Sequence, residues 1–117
     1  MDSLEEYKSF IDDAVATSRS MQSNWCLQGK YPDTAENSEI NELLSTLNKK
    51  QLLVLSAMLE RAKESGVHDL LALIHEKQIL GNLEIYTSKS KLPVEPFGTE
   101  MHYDFISRKF GDDWPEL

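Results

Sequence analysis

The sequence predicts a mainly α fold, a compact bundle of four to five helices with a short β-hairpin around residues 83–95. Three observations carry that expectation. Apolar side chains recur at three- and four-residue spacing over most of the chain, the period of an amphipathic helix. Two capping-box spacings, Ser3/Glu6 and Asn48/Gln51, mark helix starts. Glycines stand where the periodic stretches stop, at 66, 81 and 111. With 117 residues, 40% apolar and 27% charged, the chain has the length and composition of one helical domain, 1–117.

In the first element Leu4, Tyr7, Ile11, Ala14, Val15, Ser18 and Met21 form one stripe, so one helix is expected from Leu4 to the low twenties. Residues 26–37 hold Gly29, Pro32, Asp33 and Asn37, turn formers that make a long loop. Ile40, Leu43, Leu44 and Leu47 define a short helix that Asn48 interrupts. A new helix runs from Lys49 to about Ser65, with Gly66 past its end and Leu52, Val54, Leu55, Met58, Leu59 and Ala62 on its apolar face. Leu53 and Ala57 fall outside that arc, which points to a central helix contacted from two sides. His68 to Leu80 is apolar almost all round and reads as another buried helix. The expected core is Ile11, Leu52, Leu55, Leu59, Leu71 and Ile74.

Residues 83–87 then alternate with period two, as do Leu92 and Val94 after the turn 88–91; this is the hairpin, with Pro93 confining its second arm to an edge. The alternative is a helix running on through Gly81. Thr99 is a plausible N-cap for a last helix with Met101, Phe105 and Ile106 in its stripe, closed by Gly111. Beyond it stands the tail 112–117. A tryptophan there is costly to leave in water, so Trp114 is expected to dock back on the bundle.

Twenty acidic against twelve basic side chains leave a net charge of −8. Nucleic acid binding draws on Lys and Arg, and the pairs Lys49/Lys50 and Lys89/Lys91 are too small for it. An anionic membrane surface is disfavoured for the same reason. No uninterrupted apolar run, Leu52 to Leu55 included, is long enough to span a bilayer. The acidic N-terminus is unlike a signal peptide, and the single Cys26 allows no internal disulfide. A bacterial-type, reducing cytoplasm fits these features.

No Gly-rich phosphate loop, H-E-x-x-H, C-x-x-C or G-x-S-x-G pattern is present. His68 and His75 stand two helical turns apart, about 10 Å along the axis, and so do not form the close pair that one zinc ion needs. His68 is expected to cap its helix and His75 to mark a less buried side. No metal or cofactor is expected. Cys26, between Trp25 and Leu27, suits a small buried hydrophobe.

The versatile side chains concentrate near the C-terminus. Glu100, Asp104 and Arg108 share one helical face at i, i+4 spacing, where Asp104 and Arg108 would pair as a surface ladder. The functional alternative joins His102, Tyr103, Asp104 and Arg108 to Trp25, Tyr31 or Trp114 as a small recognition cleft. Residues 95–117 form an acidic, aromatic segment with six acids against Arg108 and Lys109. Acids interleaved with aromatics suit a basic protein surface. The expected function is a non-enzymatic protein-interaction module, an adaptor or an inhibitor of a basic partner. One alternative is a small-molecule-binding protein or enzyme with a pocket between the C-terminal helix and the 26–37 loop. Another is a structural helical homo-oligomer, from the surplus apolar faces between Leu52 and Leu80.

Overall fold

A computed structural model describes residues 2–88 and 90–117. Met1 and Lys89, the latter in the expected hairpin turn, lie outside the described residues. The chain is mainly helical: α1 is Ser3–Thr17, α2 Met21–Gln28, α3 Ser38–Ser45, α4 Lys49–Ile79 and α5 Met101–Lys109, with a 3-10 turn at Ala35–Asn37. None of the described helices is long and apolar enough to cross a membrane.

Among the described residues five α-helices form, within the expected four to five, but two boundaries differ. The first expected helix breaks after Thr17. Ser20 caps α2 by accepting the Ser23 amide at 3.0 Å, and its own amide donates to Glu60 Oε2 of α4 at 2.9 Å. A tertiary partner thus rewards the break that the continuous apolar stripe hides. Conversely, α4 runs straight through Gly66. A mid-helix glycine costs only about 1 kcal/mol, less than abandoning the hydrogen bonds of a continuing helix.

Caps were partly readable. Asn48 and Gln51 exchange side-chain and backbone bonds at 2.9 Å each, the reciprocal box their spacing implied. At α1 the cap is Asp2 rather than Ser3, its Oδ1 accepting the Glu5 amide at 2.8 Å. At α5 Thr99 does not cap; the Met101 amide donates instead to His75 Nδ1 at 3.3 Å. The expected hairpin reduces to a single antiparallel bridge, Tyr86 with Lys91, and no strand forms among the described residues. Gly81 adopts φ 77°, so α4 does not continue through it.

The chain divides into two compact units, one of Met1–Thr17 and Gly66–Leu117, the other of Ser18–Ser65. In the first, Tyr7, Ile11, Leu71, Leu92, Met101 and Phe105 are buried together, with Phe10, Ile74, Phe97, Ile106 and Trp114 packed around them. In the second, Cys26, Tyr31 and Leu44 form the centre, and half-buried Leu47, Leu52, Leu55 and Leu59 cover it. Of the expected core, Ile11 and Leu71 are fully buried and the other four half-buried.

The expectations of a helix contacted from two sides over 49–65 and of a buried one over 68–80 both fail. Only one face is used in each unit: Leu71, His75 and Gln78 in the first, Leu52, Leu55, Ser56 and Leu59 in the second. Leu53, Ala57, Leu70, Leu73, Ile79 and Leu80 are exposed.

A methyl group on Gly66 would meet nothing within 4 Å, and its backbone is not in the left-handed region. Gly66→Ala is therefore expected to stabilise the protein by about 0.5–1 kcal/mol. Thermal melting checks this: the midpoint should rise by a few degrees.

Candidate functional site

Trp25 and Tyr31 belong to the second unit; His102, Tyr103, Asp104, Arg108 and Trp114 belong to the first. In the first unit, α5 is amphipathic and presents two kinds of side chain. Met101 and Phe105 enter the core, and Asp104 goes in with them, 4% exposed. A buried carboxylate needs partners. Asp104 Oδ2 accepts the Tyr7 hydroxyl at 2.5 Å, and Oδ1 accepts the hydroxyl of Thr99. The first links α1 to α5, and the second fixes the segment that enters α5.

Arg108, one turn on, does not pair with Asp104 as the i, i+4 spacing suggested. Its fork takes both oxygens of Asp12 on α1, Nε at 2.9 Å and Nη2 at 3.2 Å. Nη1 donates to the Asp112 carbonyl at 2.8 Å. A bidentate partner on another helix outcompetes the local ladder, since the planar guanidinium matches two carboxylate oxygens at once. The Asp12 hydrogen bond also holds the Arg108 pKa above its ordinary value.

Trp114 is docked and half-buried. Its ring stacks on Phe97 at 5.3 Å and meets Tyr7 edge-on at 6.2 Å. The Arg108 guanidinium lies 4.9 Å from its centroid, a cation–π contact. Thr99, Tyr103, Asp104, Ser107, Arg108 and Trp114 line a cleft of about 180 Å³ with Asp113 and Pro115. Four of the expected site residues meet here. A second, more open cleft of about 430 Å³ is lined by Glu5, Lys8, Ser9, Asp12, Asp13 and Trp114. The indole contributes to both.

His102 lines neither cleft. It joins His68 and His75 in a row of edge-to-face imidazoles, with centroids 5.2 and 5.8 Å apart. Glu100 Oε2 is 3.0 Å from His102 Nε2, and Glu95 Oε1 is 3.6 Å from His75 Nε2. His75 is buried rather than on a less covered side, and His68 sits inside α4 instead of capping a helix. Among the described residues, no group of three or more His, Cys, Asp or Glu side chains could hold a metal ion.

In the second unit, Trp25 and Tyr31 pack at 5.2 Å. Asn41 clamps the Tyr31 backbone, accepting its amide at 2.8 Å and donating to its carbonyl at 3.2 Å. Trp25, Gln28, Lys30, Tyr31, Pro32 and Asp33 line a cleft of about 390 Å³. The expected loop begins only at Gly29, because residues 26–28 complete α2. Cys26 is fully buried and aims its thiol at the Leu52 carbonyl, 3.6 Å away. Burial pushes its pKa up, as befits a packing residue.

Sequence reasoning missed Tyr7, Asp12, Phe97 and Thr99 as parts of this arrangement. Tyr7 was legible only as a core position, and nothing local ties it to a carboxylate 97 residues away. The acid-flanked start of α1, with Glu5, Asp12 and Asp13 on or beside one face, was the available signal.

Residues 1–116 match the family described as a family of unknown function, DUF6547; the chain belongs to that family. No curated protein and no solved structure matched the chain.

Burial first, then the hydrogen bond to Asp104 and the charges of Asp104 and Glu95, push the Tyr7 phenol far above the ordinary tyrosine value. A folded value raised in this way contributes stability that is fully present below about pH 10 and lost as pH rises beyond it, since the unfolded chain then releases the proton first. Tyr7→Phe should cost about 1–3 kcal/mol at neutral pH by leaving Asp104 one donor short. In urea unfolding at a series of pH values, the wild-type advantage over Tyr7→Phe should narrow above about pH 10. An advantage that stays constant to higher pH would contradict the assignment.

Proposed function

We propose that this protein is a protein-interaction module, an adaptor or an inhibitor, that receives a basic segment of a partner on the acidic, aromatic face of its first unit. The observation that carries the reading is the setting of Trp114. Its ring is held between Phe97, Tyr7 and the Arg108 guanidinium. It forms the wall of an open cleft whose other side chains are Glu5, Lys8, Ser9, Asp12 and Asp13, three acids against one base. A pre-ordered aromatic beside carboxylates suits lysine or arginine, the aromatic providing contact area at little entropic cost and the acids speeding encounter.

Charge supports the same face. Residues 1–17 and 66–117 carry fourteen acidic against six basic side chains, so the entire net charge of −8 falls in the first unit. A reducing cytoplasm suits a chain whose one cysteine is a buried thiol. The cleft around Tyr103 and Asp104, at about 180 Å³, is smaller than the roughly 300–1,000 Å³ of ordinary small-molecule sites. Small-molecule binding is the second reading, favoured by the roughly 390 Å³ cleft beside Trp25 and Tyr31.

Trp25→Phe leaves Trp114 as the sole indole. Titrating that protein with a lysine- and arginine-rich peptide should give a saturable change in Trp114 fluorescence that weakens steeply with added salt. Adding Glu5→Gln and Asp13→Asn should weaken binding by about tenfold or more, whereas Asp69→Asn with Glu76→Gln, an equal charge loss elsewhere in the unit, should change it little. Equal effects of the two pairs, or no Trp114 response, would overturn the reading.

A further inference from the structure

The indole of Trp114 has two faces, and both are covered. Phe97 stacks on the ring at 5.3 Å, and the Arg108 guanidinium lies 4.9 Å from its centroid. A stacked phenyl and a guanidinium at such distances cannot share one face, so Arg108 takes the face that Phe97 leaves. The fork of the same side chain holds both oxygens of Asp12, at 2.9 and 3.2 Å. Asp12 and Trp114 both line the acidic cleft, and Arg108 lines the smaller cleft that shares the indole. The Arg108–Asp12 pair therefore stands where the two clefts meet.

This occupant is replaceable. The side chains of Arg108 and Asp12 are 26% and 43% exposed, and an ion pair so open to water contributes little to stability, because water competes for both ends. Trp114 keeps Phe97 and Tyr7 when Arg108 leaves, so the wall of the cleft stands without it. Asp12 then joins Glu5 and Asp13 as an open acid beside Lys8. The seat is also selective. Two parallel N–H donors to one carboxylate, carried by a flat cation that stacks on an indole, are what a guanidinium offers. An ammonium is a compact, strongly hydrated point charge and reproduces only part of this.

We infer that, within the basic-partner reading on which this rests, Asp12 and Trp114 form an arginine subsite, and that Arg108 is its internal occupant, displaced when an arginine of the partner takes the seat. The guanidinium that leaves and the one that arrives make the same kinds of contact with the carboxylate and the ring. The resting protein is thus self-blocked: its apparent affinity is the intrinsic one reduced to the fraction of molecules whose seat is open.

Two peptides of equal length and charge, one built on arginine and one on lysine, are titrated into the Trp25→Phe protein, and the midpoint of the Trp114 fluorescence change is read. Adding Arg108→Ala should tighten binding of the arginine peptide by about tenfold or more, since the seat then stands open. The lysine peptide should gain no more than about threefold. Lys109→Ala, an equal charge loss on the same helix in a residue that lines neither cleft, should move both peptides by no more than about twofold. Arg108→Lys keeps the charge but loses the fork, so it should still tighten the arginine peptide by roughly threefold; it decides the matter if circular dichroism shows that Arg108→Ala does not fold. Binding of the arginine peptide that is unchanged or weaker in the Arg108 variants overturns the internal occupant and leaves the basic-partner reading standing. Equal gains for the two peptides overturn it as well, because net charge alone then accounts for them. No Trp114 response to either peptide, with Arg108 present or replaced, overturns the basic-partner reading and the subsite with it.

Discussion

A carboxylate removed from water must find donors, and in the first unit one such group organises much of what surrounds it. Asp104 lies on α5 between core residues Met101 and Phe105, so burying that helix buries the acid with it. Its two oxygens are met by the hydroxyls of Tyr7 and Thr99. The phenol that satisfies it also forms part of the apolar core and meets the Trp114 ring edge-on. A single side chain, Tyr7, thus joins the polar requirement of α5 to the apolar floor on which the C-terminal tail rests. Arg108 completes the arrangement from the same helix, binding Asp12 with its fork and covering the indole with its face.

The two units differ in charge and in surface chemistry. All of the net charge falls in the first, together with the docked tryptophan and its acidic cleft. The second is neutral and carries an apolar groove lined by Leu43, Leu47, Val54, Leu55 and Met58 with Lys50 at its rim. Long-range electrostatics governs rates of encounter and is sensitive to salt; apolar contact is short-ranged and is not. On the proposed reading, a basic partner would be drawn to the charged unit by a force that salt screens.

What the sequence made legible followed the range of the interactions involved. The Asn48/Gln51 box closes within one helical turn, and its spacing alone revealed it. The docking of Trp114 was also readable, because a large aromatic near a chain end strongly favours cover. The break after Thr17 was hidden because Glu60, forty residues away, satisfies the Ser20 amide. The Asp104–Arg108 pair failed for the same kind of reason: Tyr7 and Asp12 lie on another helix, and each offers better geometry than the local partner. The histidine row is invisible in spacing, since α5 brings His102 beside two residues that are two turns apart on α4. Of the expected site, Tyr103, Asp104, Arg108 and Trp114 share a cleft, while Trp25 and Tyr31 line a different one.

The dependence of the first unit on the Tyr7–Asp104 contact is tested most directly by a double-mutant cycle. Urea unfolding of the wild type, Tyr7→Phe, Asp104→Asn and the double variant yields the coupling free energy free of each side chain's separate packing role. A hydrogen bond to a buried carboxylate should give a coupling of about 1.5–3 kcal/mol. Additive effects, with a coupling near zero, would contradict the central place given to that contact.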